Sequence, residues 1–284
     1  MDQIHTLITL MYQLIGDNRF LIDAMNSMIQ RGDRLPSIEL TYTAGSEYWH
    51  STNIIIMGLS DVIDCYVHAQ GFNFQPTPMI NVNTDYDNYN AKFEKCKGIS
   101  ISMPMTESEC LITGKLFSDT YFLKEKEMSI YDALTVYSLA YSLYHEIGHA
   151  LHDKDIPEAE PIKREIAADA FAYEALKSMC EIEDGDVLLL GTIIGVTHVF
   201  NKLSYDQEKV DDKHPYTIER LYQLLVFWGL KDNSPIWDLI IIIIKKWCKK
   251  NTLSMEWDND NFNSNKEKFT KAYQQFRKIF NDSC

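Results

Sequence analysis

The apolar positions of this chain fall into a helical rhythm at both ends and a strand-like one in the middle. Ile4, Leu7, Ile8, Leu10, Met11, Leu14 and Ile15 recur at helical spacing, which predicts an amphipathic helix packed on the rest of the protein. The same reading predicts helix through residues 1 to about 70, broken around Arg31–Pro36 and again at Thr43–Ser46. Gly71 to Pro78 is irregular, and the Asn- and Asp-rich stretch Asn81–Asn90 reads as a surface loop. Gly98–Met103 then alternates with period two and stops at Pro104, predicting a strand, with a second at Cys110–Ile112. From Ser129 the pattern is helical again, with Ser129 and Asp132 spaced as a capping box. Leu134, Val136, Tyr137, Leu139, Leu143, Ile147, Ala150 and Leu151 put apolar side chains on nearly every face, so this helix belongs in the protein's centre.

Two more apolar stretches, Val187–Phe200 and Leu239–Ile244, read as buried core helices. The second is only about a third of a membrane span. Lys245, Lys246, Lys249 and Lys250 after it read as a solvated helix end. The predicted fold class is therefore mainly α (α+β), a helical core with a small β-sheet. With no repeat and no long linker, a single domain over 1–284 is expected, with a helical N-terminal part of about 1–128 and a core of about 129–284.

The central helix carries polar groups that its apolar setting must explain. His145 and His149 stand four residues apart, so both imidazoles project from one face and can bind one ion. Glu146 lies about 100° around the helix, where it can hold a water instead of the metal. Neutral imidazole nitrogens suit zinc, with a carboxylate oxygen as a common third ligand. Gly148 leaves room for another backbone or a substrate beside the second histidine. An HExxH string arises by composition alone in roughly one chain in a hundred of this length, so its place on a buried helix makes the metal reading specific.

The third ligand is expected on a second helix. After the Pro157–Pro161 break the chain reads Glu165-Ile-Ala-Ala-Asp169-Ala-Phe-Ala172, with its alanines allowing close helix packing. Glu165 is the predicted ligand and Asp169, four residues on, the acceptor of a ligand histidine's N–H. Glu158 and Glu160 remain the alternatives for the third position.

Composition narrows the setting. Apolar residues make up 45% and charged residues 24%, as in a globular protein, and the net charge of -14 argues against nucleic acid as a partner. The six cysteines form no CxxC pair and no basic leader opens the chain, which predicts reduced thiols and a cytoplasmic protein without a signal peptide.

The HEIGH and EIAAD segments together resemble the HExxH plus ExxxD pattern of gluzincin metallopeptidases. His214-Pro215-Tyr-Thr-Ile-Glu-Arg220-Leu221 is similar to a segment near the active site of the M48 clan. The three motifs cover roughly a third of the chain. Without predicted membrane spans the chain resembles soluble relatives more closely, the ImmA/IrrE-type proteases and the Lit-like phage-exclusion peptidases. The resemblance implies a zincin-like helical core with a small β-sheet edge and one Zn2+ per chain on His145, His149 and Glu165. It implies Glu146 as general base and His214 and Arg220 as cleft residues, and a zinc-dependent endopeptidase acting on a protein substrate in phage defence or stress regulation. His214, Arg220 and Tyr216 are all open as oxyanion donors. Gly98–Met103 is either an edge strand for an extended substrate or an interior strand. The competing class is a catalytically silent zinc-bound sensor on the same fold, against which the presence of Glu146 argues.

Overall fold

Asn18 opens α1 (Arg19–Gln30) in the computed structural model. Its side-chain oxygen accepts the Leu21 N–H at 3.0 Å, satisfying a donor that the helix end leaves open. Its amide donates to the Ala175 carbonyl at 2.8 Å, so one fully buried residue both starts the helix and ties it to a later one. Leu21, Met25 and Met28 are the buried face of α1. The structure describes residues 18–41, 47–49, 53–58, 130–181, 185–197, 213–234, 236–253 and 262–281. It divides into two compact units, Met1–Gly195 and Val196–Cys284.

The break expected at Arg31–Pro36 is present. Gly32, at φ 78°, closes α1 in the left-handed region, and Pro36 immediately precedes a strand. Beyond it the structure departs from the helical expectation. Three strands follow, β1 (Ser37–Thr41), β2 (Glu47–Trp49) and β3 (Ile54–Gly58), in the order β1-β3-β2. β1 runs parallel to β3 with Ser37 opposite Ile54, and β2 antiparallel with Tyr48 opposite Ile55. The physical reason lies in residue type. Ile54-Ile55-Ile56 and Tyr48-Trp49 are branched or aromatic and fit a pleated surface, whereas short apolar runs carry too few residues for period alone to decide. The second predicted break at Thr43–Ser46, the strands expected at Gly98–Met103 and Cys110–Ile112, the Asn81–Asn90 loop and Ser129 itself lie largely or wholly outside the described residues.

The first unit is built on α2 (Ile130–His152), buried from Ala133 through Gly148 as its all-round apolar pattern requires. α3 (Pro161–Lys177) starts on Pro161 at its first turn, where a missing N–H costs nothing, and makes the most extensive helix–helix contact with α2 among the described elements. That approach depends on Gly148: a Cβ there would stand 2.7 Å from the Ala168 Cα. α4 (Gly185–Thr197) lies as closely on earlier turns of α2, its Gly191 and Gly195 against Tyr137 and Tyr141, with Leu188, Leu189, Ile193 and Ile194 buried. Strands β2 and β3 also contact α2.

Among the described residues, the second unit contains the helices α5 (Thr217–Trp228), α6 (Ile236–Lys250) and α7 (Asn265–Asn281). Aromatic pairs join them: Tyr222 stacks on Tyr273 at 4.3 Å, Trp237 meets Phe269 at 5.2 Å and Trp247 meets Phe276 at 5.3 Å. The Tyr273 hydroxyl donates to Glu219, which Arg277 also pairs at 3.0 Å; burial and that carboxylate raise the phenol's pKa. Ile240, Ile241 and Ile244 of α6 are buried, as a core helix. The described protein is mainly helical, and none of its helices is long and apolar enough to cross a membrane.

Candidate metal centre

The packing of α2 on α3 decides where the site residues meet. On α2, His145 and His149 lie one turn apart, their rings edge to face with centroids 4.7 Å apart. Their Nε2 atoms face each other at 3.1 Å. From α3, Glu165 enters between them: one carboxylate oxygen is 3.1 Å from His149 Nε2 and the other 3.3 Å from His145 Nε2. The Ala168 backbone can seat Glu165 and Asp169 this close only because Gly148 lacks a side chain.

The opposite side of each imidazole is held as firmly. His145 Nδ1 lies 2.9 Å from Asp169 Oδ1, and the Tyr141 hydroxyl donates to the same oxygen at 2.7 Å. His149 Nδ1 lies 3.0 and 3.2 Å from the two oxygens of Asp153. An ionised carboxylate can only accept, so each ring donates its Nδ1–H, and Nε2 is the nitrogen that faces the shared centre and would ligate an ion there. Two imidazole nitrogens and a carboxylate converging on one point attract positive charge, which a proton on His149 or a bound metal ion would supply.

The donor set fits zinc. With Zn–N bonds of 2.0–2.1 Å, tetrahedral ligand atoms stand roughly 3.3 Å apart; the two Nε2 atoms are 3.1 Å apart, and each lies 3.3 or 3.1 Å from its own Glu165 oxygen. His145, His149 and Glu165 could together hold such an ion. The centre is also strongly negative. Burial pulls the His149 pKa down, but its hydrogen bonds to Asp153 and Glu165 and the charges of Glu165 and Glu146 outweigh it, pushing it up to about 10. Glu146 itself is buried, and its charge is felt at His149.

The structure thus brings together His145, His149, Glu165 and Asp169, and sets Glu146 within electrostatic reach. Of the alternative third ligands, Glu160 is engaged by Lys163 at 2.8 Å and Glu158 is exposed. His152 packs its ring against Phe171 at 5.9 Å, and burial lowers its pKa. His214 and Arg220 belong to the second unit, His214 exposed before α5 and Arg220 half-buried within it.

Two residues of this centre escape a reading by motif. Asp153 follows the helix in a 3₁₀ turn, Asp153–Asp155, yet stays only 4% exposed. Its signal was its place four residues after His149, on the same face. Tyr141, four residues before His145, reads as one more apolar core position; its hydroxyl reaches Asp169 because Gly195 lets α4 close over the ring.

A cleft of about 810 Å3 opens beside His149 and Asp153, within the first unit. Arg34, Tyr48 and Asn53 line it, together with the Asp153–Glu158 segment and Arg164. Lys154 pairs with Asp33, and Arg164 donates to the Ile156 carbonyl at 3.1 and 2.7 Å, so the segment between α2 and α3 is held at both residues.

Against known families, the model described as Peptidase U49 matches residues 46–240, more than half of the chain. Among curated proteins and solved structures nothing matches.

Proposed function

We propose that this chain, which belongs to the peptidase U49 family, is a zinc-dependent endopeptidase whose centre is His145, His149 and Glu165. The observation that carries the reading is the convergence of two imidazole Nε2 atoms and a carboxylate, with the Nδ1 atoms already held by Asp169 and Asp153. Those three residues would hold the ion, which when bound supplies Lewis acidity, polarising a carbonyl and lowering the pKa of water toward about 7.

The chain's own residues do the rest. Asp169 and Asp153 keep both imidazoles in the ligating tautomer and orientation. Glu146, buried beside His149, takes the proton of the attacking water at its carboxylate and returns it to the leaving amine. The apolar body of α2 and the close approach of α3 keep bulk water from the carboxylates, which strengthens their hold on protons and cations. In the same reading the enzyme cleaves a protein in the cytoplasm, in phage defence or stress regulation, as its resemblance to soluble gluzincins implies.

Glu146→Gln tests this reading, because the amide keeps the shape but cannot accept the proton. The purified variant should carry about one zinc per chain, like the parent, and lose two to four orders of magnitude in cleavage of a proteome-derived peptide library. Full cleavage by the variant removes Glu146 as the base, and a cellular effect that persists undiminished without cleavage leaves a zinc-bound binding protein as the correct class.

A further inference from the structure

The lining of the cleft contains a tightly built element that the metal chemistry does not use. Asn53, just before β3, has φ 55°, a left-handed conformation that asparagine tolerates. Its amide nitrogen donates to the Arg34 and Leu35 carbonyls, both at 2.9 Å. Both amide hydrogens are thereby spent, so Oδ1 faces the other way, and the Tyr48 hydroxyl donates to it at 2.7 Å. A phenol has one proton. With that proton committed to Asn53, the Tyr48 oxygen can offer only lone pairs to whatever enters the cleft.

Its neighbourhood keeps it in that state. Burial, and secondly the charge of Asp153, raise the Tyr48 pKa, so the phenol stays neutral at physiological pH. Asp153 is also the residue that holds His149, and Tyr48, Asp153 and His149 line the same cleft. Of the cleft's Lys and Arg side chains, Lys154 is engaged by Asp33 and Arg164 by the Ile156 carbonyl, while Arg34 also lines it. A cavity of about 810 Å3 is of the size that takes an extended peptide segment several residues long or a drug-sized ligand.

We propose that Tyr48 is a substrate-contacting residue: held by Asn53, its phenolic oxygen accepts a hydrogen bond from a main-chain N–H of a peptide bound beside His149. The proposal rests on the peptidase reading above. A neutral, rigid acceptor matches a group that every peptide carries regardless of sequence, so this contact contributes affinity for a chain and not choice among side chains.

The test uses a proteome-derived peptide library and two variants of the full chain. Tyr48→Phe removes the oxygen. Asn53→Gly keeps the left-handed backbone but releases the phenol. For the best-cleaved peptides, Tyr48→Phe should raise KM about 3- to 10-fold, the worth of one neutral hydrogen bond. It should do so by the same factor for every peptide, with kcat, zinc content and the cleavage-site profile unchanged. Asn53→Gly should shift KM in the same direction. A fall in kcat with KM unchanged, or a KM change confined to peptides with particular side chains, overturns the proposal. Capture of the uncleaved library by Glu146→Gln protein, read by mass spectrometry, needs no turnover. If the parent cleaves nothing, the peptidase reading fails, yet weaker capture by Glu146→Gln/Tyr48→Phe still upholds the contact, and equal capture refutes it.

Discussion

Asp153 offers the most direct check on how this centre is held, because its effect can be worked from geometry. Its two oxygens lie 3.0 and 3.2 Å from His149 Nδ1, and the residue is 4% exposed, so the pair is hydrogen-bonded and largely out of water. A hydrogen bond to a charged acceptor contributes about 1.5–3 kcal/mol, against about 1 for a neutral one. Asp153→Asn keeps an acceptor oxygen but removes the charge, so it should weaken zinc binding about 10-fold. Asp153→Ala removes both and frees the imidazole to rotate, so the loss should approach about 100-fold. Competition against a chromophoric zinc chelator at pH 7.5 measures both. The two variants should leave a bound form, since His145, Glu165 and most of the hydrogen bonding around them are untouched. If Asp153→Ala binds zinc as tightly as the parent, the orientation of His149 is set by packing alone and the argument fails. If Asn costs as much as Ala, the negative charge matters and the geometry does not.

Two further outcomes follow from packing and burial. Gly148→Ala places a Cβ 2.7 Å from the Ala168 Cα, a backbone contact that cannot give way, so α3 must shift; thermal unfolding should show a loss of about 1–3 kcal/mol together with weaker zinc binding, and a wild-type melting curve would mean the helices are not in this contact. Burial pushes the Cys248 thiol up to about 12, whereas Cys180 is exposed, so a thiol reagent should modify Cys180 first and reach Cys248 only on unfolding. A thiol whose pKa is higher folded than unfolded stabilises the protein below its unfolded value of about 8.5 and loses that contribution as pH rises toward 12. Cys248→Ala should therefore flatten the alkaline fall in stability; an unchanged slope between pH 9 and 11 refutes it.

The parts of this site that were legible in the sequence share a property: each is fixed by spacing within one long helix. His145, Glu146 and His149 sit on a helix too apolar to carry them idle, and Glu165 and Asp169 repeat the four-residue spacing on an alanine-rich partner, so face and neighbour follow from the period alone. What stayed hidden depends on where the chain turns. Asp153 belongs to the same face as His149 by number, but the prolines after it mark a break, and only a 3₁₀ turn that continues the helix for one more step keeps it under the imidazole. The sheet was missed for the complementary reason, since Ile54-Ile55-Ile56 is too short for a period and its pairing with Ser37–Thr41 is non-local. Asn53 illustrates the limit most clearly. Nothing in its neighbours announces a left-handed residue, and its meaning arises only once Arg34, Leu35 and Tyr48, drawn from both sides of a turn, are brought to its amide. A metal centre on helices can be read from a string, whereas the wall that would receive its substrate is made by strands and turns whose contacts the string does not contain.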